Sequence, residues 1–325
     1  MTADPANETD DNQHVTVDKL ATFMAEELAA FTERVGGPLS LEPLGKLKEE
    51  ADATTKVLIR GPAGQAEAVI VCSRPVAPDL VRRGVENAEA IRALVGRDLG
   101  EAIIAPLQSG YAGGRSYVIF PWCREFSPWK MVRVLQRFYL TKPLLHWLRA
   151  ATAAAATAHG RPGKTSEAFA NKLEHLAAQP FLDGEIKSAI DHSLKRLQDG
   201  RWQPCHTFDH NDLWLGNVML PAGSIYSSGR RYPYVLIDWG GANRDGYGIY
   251  DLIRLAMALN LSNTALHREL VAHSEALQCD REDTQGHLLA AFGRLHQHLE
   301  CFPEERFIET LRNCWTTFRR AFRAG

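Results

Sequence analysis

Between His210 and Ala242 the chain carries two polar segments separated by an apolar run, and no other stretch constrains its fold as much. The first reads HNDLWLGNVML and holds His210, Asp212 and Asn217 in the pattern His-x-Asp-x4-Asn. The second reads YVLIDWGGA: a strand-like apolar run ends on Asp238, and Gly240-Gly241 follow. A carboxylate such as Asp212 can orient a hydroxyl and accept its proton. The amide oxygen of Asn217 and the carboxylate of Asp238 are hard donors of the kind Mg²⁺ prefers. The spacing from Asp212 to Asn217 lets one tight loop aim two side chains at different targets. The apolar strand fixes Asp238, and the glycines let the backbone turn away behind it. Taken singly these residues read as ordinary surface or structural polar groups; the paired segments carry the reading.

The rest of the sequence must supply a scaffold for two such loops. Its 325 residues suffice for one large domain or two lobes. Hydrophobic residues make up 45%, enough for a sizeable core. A net charge of −2 gives no global field to recruit nucleic acid or an anionic membrane. Arg312, Arg319, Arg320 and Arg323 read as the solvated face of a C-terminal helix. The apolar run near Ala150–Ala158 is too short to span a bilayer, and MTADPANETDD lacks the apolar core of a secretory signal. The 6 cysteines form no CxxC pair and read as reduced thiols of a cytoplasmic protein. His206 and His210 are spaced like metal ligands, but no third ligand of suitable spacing accompanies them, so zinc is not expected.

Periodicity divides the chain. Residues 1–16 read as a disordered tail, followed by a helix from Asp18 to about Arg34. Strands are expected at LSLEPLG, KVLIR and AEAVIVC, then a helix over 79–95, then strands at EAIIAPLQSG and RSYVIFPW. Beyond Trp122 the spacing becomes helical: about 128–140, 142–159, 166–177 and 184–198. A loop with short strands occupies about 204–240, and helices run from about 249 to the end. The fold class is therefore α+β, with a mostly β lobe over 17–122 and a larger helical lobe over 123–325.

With these residues in view, the chain resembles the aminoglycoside phosphotransferases and choline kinases, small-molecule relatives of the protein kinases. HNDLWLGNVML is similar to their catalytic loop, and Asn211, where protein kinases carry Arg, favours the small-molecule branch. IDWGGA is similar to their metal-binding turn, and YDLIRLA, with Asp251, to the segment after it. The resemblance covers about 37–325. It implies a protein-kinase-like fold, with a cleft between the two lobes and the nucleotide on the N-terminal side. Asp212 would be the catalytic base, Asn217 and Asp238 the magnesium ligands, and His210 and Asp251 supports of the loop. Phe120 would line the back of the adenine pocket, with the Pro121 carbonyl and the Cys123 N–H facing the base. The expected activity is transfer of the γ-phosphoryl group of ATP or GTP to a hydroxyl of a sugar, amino sugar or amino alcohol.

Two departures bear on that reading. Families of this kind carry a lysine on the third strand that holds the phosphates, and here Val71 falls at that position. The phosphate loop LGKLKEEADATTK has one glycine, Gly45; either its Lys46 and Lys48 supply the charge, or the nucleotide is held weakly through metal and hinge alone. The glutamate that would pair with the missing lysine is Glu86 or Glu89. Trp214 and Trp239 flank the motifs, as loop packing or as an aromatic wall. The alternative reading is a pseudokinase that binds nucleotide or a protein partner.

Overall fold

The computed structural model describes residues 22, 25–44, 54–160, 164–222, 230–299 and 302–324. The expected tail over 1–16, most of the first turns of the expected first helix, Lys46, Lys48 and the polar segment 223–229 lie outside these. The chain divides into two compact units, and neither is a continuous stretch. A sheet unit comprises Met1–Glu89, Ile104–Glu125 and Met219–Gly240; a helical unit comprises Ala90–Ile103, Phe126–Val218 and Gly241–Gly325.

In the sheet unit, helix α1 (Ala25–Val35) leads to strands β1 (Ser40–Pro43), β2 (Thr55–Arg60) and β3 (Ala66–Cys72). Helix α2 (Leu80–Val95) begins in this unit and is followed by β4 (Gln108–Ala112), β5 (Arg115–Pro121) and β6 (Cys123–Arg124). The first five strands form an antiparallel sheet in the order β1-β2-β3-β5-β4. Strand alternation sorts its side chains between two faces. Val57, Ile59, Ala68, Ile70, Cys72, Tyr117 and Ile119 join Phe31 of α1 in one buried cluster. Val71, Val118 and Phe120 emerge on the other face and meet Val81 and Val85 of α2.

Residues 101–107, expected to open a strand, instead run as a loop whose Ala102, Ile103 and Ile104 are buried. An apolar run of that length satisfies a strand pattern and a buried connection equally well. Ile104 donates its N–H to the Leu236 carbonyl and packs with Cys123, Val235, Phe120, Met219 and Ile237.

Helix α3 (Lys130–His159) opens the main part of the helical unit, followed by α4 (Lys164–Ala177) and α5 (Gly184–Gln198). Strand β7 (Thr207–Asp209) leads into the motif loop, and β8 (Val218–Pro221) and β9 (Val235–Leu236) extend a three-stranded sheet in the order β6-β8-β9. Strand β10 (Asn243–Gly246) pairs antiparallel with β7. The chain finishes with α6 (Tyr250–Leu259), α7 (Asn263–Ala276), α8 (Asp283–Gln297) and α9 (Glu304–Arg323).

Two expected helices, split near residue 141, are one: α3 passes through Pro143. Proline there removes one N–H from the ladder. The flanking Leu140, Leu144, Trp147, Leu148 and Ala151 are all buried, and each large side chain contributes roughly 1.5–3 kcal/mol. That burial outweighs the roughly 3 kcal/mol cost of an interior proline. At the centre of the unit, Phe169 of α4 meets Trp202, His206, Tyr247 and His287 at ring separations from 4.8 to 5.5 Å.

Candidate active site

The motif loop hangs from buried β7. Its partner strand approaches so closely that a Cβ at Gly246 would lie 2.4 Å from the Asp209 backbone nitrogen, so only glycine fits. Asp209 is fully buried, and its Oδ1 accepts the N–H groups of Tyr247 (2.9 Å) and Gly248 (3.3 Å). This ties the start of the loop to the segment that leads into α6.

Asp251, in the first turn of α6, provides the second tie. Its Oδ2 accepts the His210 N–H at 2.5 Å and its Oδ1 accepts the Asn211 N–H at 3.1 Å. Burial, reinforced by the charge of Asp209, pushes the Asp251 carboxyl up to about 8, against these two N–H groups and the Arg254 guanidinium. Asn211 sits at φ +68°, a left-handed conformation that asparagine tolerates better than most residues. Its Nδ2 donates to the Gly241 carbonyl at 2.6 Å, which holds the turn in shape.

This support presents Asp212 to solvent. Its side chain is 53% exposed. Oδ1 lies 3.3 Å from Nη2 of Arg254, and Oδ2 accepts from Trp214 Nε1 (3.1 Å) and Asn217 Nδ2 (3.0 Å). The Trp214 ring folds back over Gly216, where a Cβ would come within 2.5 Å of it. Asn217 is buried in a single turn of 3₁₀ helix, and its Nδ2 also donates to the Asp212 carbonyl at 2.8 Å. With the amide nitrogen so occupied, Oδ1 is the atom of Asn217 suited to a hard cation.

Asp238 belongs to the sheet unit. It follows β9 and Ile237, is exposed, and adopts φ +64°, a second left-handed residue within the two motifs. Such conformations cost of order 1–3 kcal/mol and persist where surrounding structure enforces them. Asn87 of α2 is part of that enforcement: its Nδ2 reaches the carbonyls of Trp239 (3.1 Å) and Gly240 (3.3 Å). Trp239 is buried and donates to the Leu236 carbonyl at 3.1 Å, so it packs the turn; Trp214 is the exposed tryptophan of the pair.

Also in the sheet unit, Phe120 closes β5 opposite Val69, and Pro121 and Cys123 are buried. The Trp122 N–H goes to the Glu67 carbonyl (2.8 Å), and the Trp122 carbonyl accepts from Ala222 (3.2 Å). Alternation along the strand turns the Pro121 carbonyl and the Cys123 N–H toward the opposite edge. The Cys123 thiol lies 3.5 Å from that carbonyl.

The structure thus gathers His210, Asp212, Asn217 and Asp251 in the helical unit, and Phe120, Pro121, Cys123 and Asp238 in the sheet unit. Glu86 is paired with Arg82 on the exposed side of α2, and Glu89 is exposed. Sequence reasoning passed over Arg254 and Asn87. The spacing of Arg254, one helical turn beyond Asp251, was a usable signal for the first; nothing local marked the second. His206, weighed as a metal ligand, is partly buried with Nδ1 on the Gly246 carbonyl.

No protein-family model matches the chain, and no curated protein matches it. Solved structures do. A point mutant of aminoglycoside 2′-phosphotransferase IIIa in complex with GDP superposes with a TM-score of 0.52 at 13% identity, over 95% of this chain and 99% of that one. A thermostable mutant of aminoglycoside phosphotransferase APH(4)-Ia, in its apo form, superposes with a TM-score of 0.51 at 15% identity, over 89% and 97% of the two chains. The likeness is one of fold: a sheet-bearing N-terminal region and a helical C-terminal region, as in protein-kinase-like small-molecule kinases.

Proposed function

We propose that this chain is a kinase that uses Mg²⁺ with ATP or GTP to phosphorylate a hydroxyl of a small metabolite, such as a sugar, amino sugar or amino alcohol. The observation that carries the proposal is the state of the motif loop. Asp251 holds its backbone through two N–H groups, and Asp212 is left half in solvent between Trp214, Asn217 and Arg254. A carboxylate so oriented suits a base that aligns an alcohol and takes its proton. Asn217, through Oδ1, and Asp238 are proposed as the magnesium ligands. The cation would neutralise charge on the transferring phosphoryl group. Phe120, the Pro121 carbonyl and the Cys123 N–H are proposed to receive the purine.

Transfer of labelled phosphate from ATP or GTP to a panel of hydroxylated metabolites tests the reading. Asp212→Ala should lower the rate by roughly 10²- to 10⁴-fold. Unchanged turnover in the variant would reject Asp212 as the base. Magnesium should tighten nucleotide binding in the wild type and do so much less in Asp238→Ala.

One observation favours the alternative, a nucleotide-binding pseudokinase. Val71, which falls where the kinase template has its lysine, packs against Val81 and Val85 of α2. Replacing a buried ion pair by apolar groups is often neutral or stabilising for the fold, so this contact has a structural rationale of its own. Magnesium-dependent nucleotide binding without transfer to any acceptor, and without nucleotide hydrolysis, would decide for the alternative.

A further inference from the structure

We infer that Lys56, on the second strand of the sheet, supplies the charge for the nucleotide phosphates that the kinase template takes from the third strand. The inference rests on the nucleotide reading above. In the antiparallel pairing of β2 and β3, Lys56 stands directly opposite Val71, between the pairs Thr55–Cys72 and Val57–Ile70. Residues directly opposite each other project from the same face of a sheet. Val57, Ile70 and Cys72 point into the cluster around Phe31, so Lys56 and Val71 share the other face. That face also carries Phe120, which pairs with Val69, two residues before Val71. Moving from Val71 to Lys56 is thus a shift of one strand, roughly 4.8 Å, with no change of face or of level along the sheet.

The other cations on these strands are unsuited. Arg60 is committed to Glu42, Nε to Oε2 at 2.7 Å, and to the Gly64 carbonyl at 3.0 Å. Arg115 lies in alternation with Tyr117 and Ile119 and therefore belongs to the opposite face. Lys56 is exposed, and its ammonium makes no ion pair among the described residues. A four-carbon stem ending in a compact charge can reach across one strand width. The apolar contact of Val71 with Val81 and Val85 then needs no phosphate role, because the charge has moved to the neighbouring strand.

Calorimetric affinities for Mg·ATP and Mg·GTP, each beside its nucleoside, test this in the wild type, Lys56→Met, Arg60→Met, and Lys56→Met combined with Val71→Lys. Lys56→Met should weaken triphosphate binding by about ten- to a hundredfold. Nucleoside affinity should hold, which also reports an intact fold. Arg60→Met should bind as the wild type does, and the combined variant should regain part of the triphosphate affinity. Equal triphosphate affinities in the wild type and Lys56→Met would overturn the inference, as would an equal loss for nucleoside and triphosphate. A wild type that binds neither nucleoside nor triphosphate would instead overturn the nucleotide reading beneath it.

Discussion

Asp212 and Asp251 are carboxylates of one loop system with opposite surroundings, and their replacement should separate two kinds of effect. Asp251 is buried and accepts two backbone N–H groups; Asp212 is half exposed. Asp251→Ala leaves both N–H groups without their acceptor, at roughly 1–3 kcal/mol each. The variant should therefore lose about 3 kcal/mol of stability in urea titrations, together with activity. Asp212→Ala should lose activity at an unchanged urea midpoint. If Asp251→Ala unfolds at the wild-type midpoint, the loop is not held as described. The residues that act on the backbone or carry a motif were legible, because His210, Asp212, Asn217 and Asp251 lie at fixed spacings in the sequence. Asn87 was not: it is a helix residue whose partners, the carbonyls of Trp239 and Gly240, are remote in the chain.

Among the elements, α5 and α8 are joined by a contact that local patterns cannot register. Arg196 is buried and reaches Asp283 through Nε at 2.6 Å and Nη2 at 3.2 Å, with Asp280 at 2.7 Å. Asp283 is buried too, and burial raises its pKa. Arg196→Met strands that carboxylate and should cost about 3–5 kcal/mol. The double variant Arg196→Met, Asp283→Leu should recover much of the loss in a chemical denaturation series; no recovery would mean the pair is not the source. The first turns of α3 lead to the opposite expectation. Met131, Leu135 and Phe138 are apolar at helical spacing, which in sequence reads as core, yet Phe138 is 81% exposed. Phe138→Glu should change stability by no more than about 0.5 kcal/mol. Strands β2, β3 and β5 and helix α2 were legible to within a residue or two because their alternation is strong and turns flank them. The run at 101–107 and the continuity of α3 were not, since both are decided by burial against distant partners.

For the whole molecule, buried histidines set an acid limit. His273 is fully buried, and burial lowers its pKa to about 4. Its Nδ1 bonds the Glu269 carbonyl at 2.9 Å, and Nε2 has no hydrogen-bond partner among the described residues. The fold therefore keeps the ring neutral, while the unfolded chain protonates it near 6.5. Stability from this group is complete above that value and is lost as the pH falls toward 4, up to about 3 kcal/mol. Burial also lowers His206 and His175, in the same direction. Unfolding free energies measured from pH 7 to 4.5 should fall with acid, and His273→Phe should show a shallower slope. An identical slope would remove His273 from the account. Among the described residues the cysteines are free thiols, and no helix is long and apolar enough to cross a membrane.

The discontinuous make-up of the sheet unit has a consequence for how the chain is born. When residue 125 leaves the ribosome, every strand of the five-stranded sheet has been made. Met219, Val235 and Ile237, which complete the cluster around Ile104 and Cys123, have not. Residues 126–218 must be synthesised first. A nascent chain paused anywhere in that interval lacks the residues that cover Ile104 and Cys123, and apolar surface left uncovered in this way is the kind that chaperones bind. The same surface would be bare in any fragment that stops near residue 125, so the sheet unit is better excised with residues 219–240 joined back by a linker than by simple truncation.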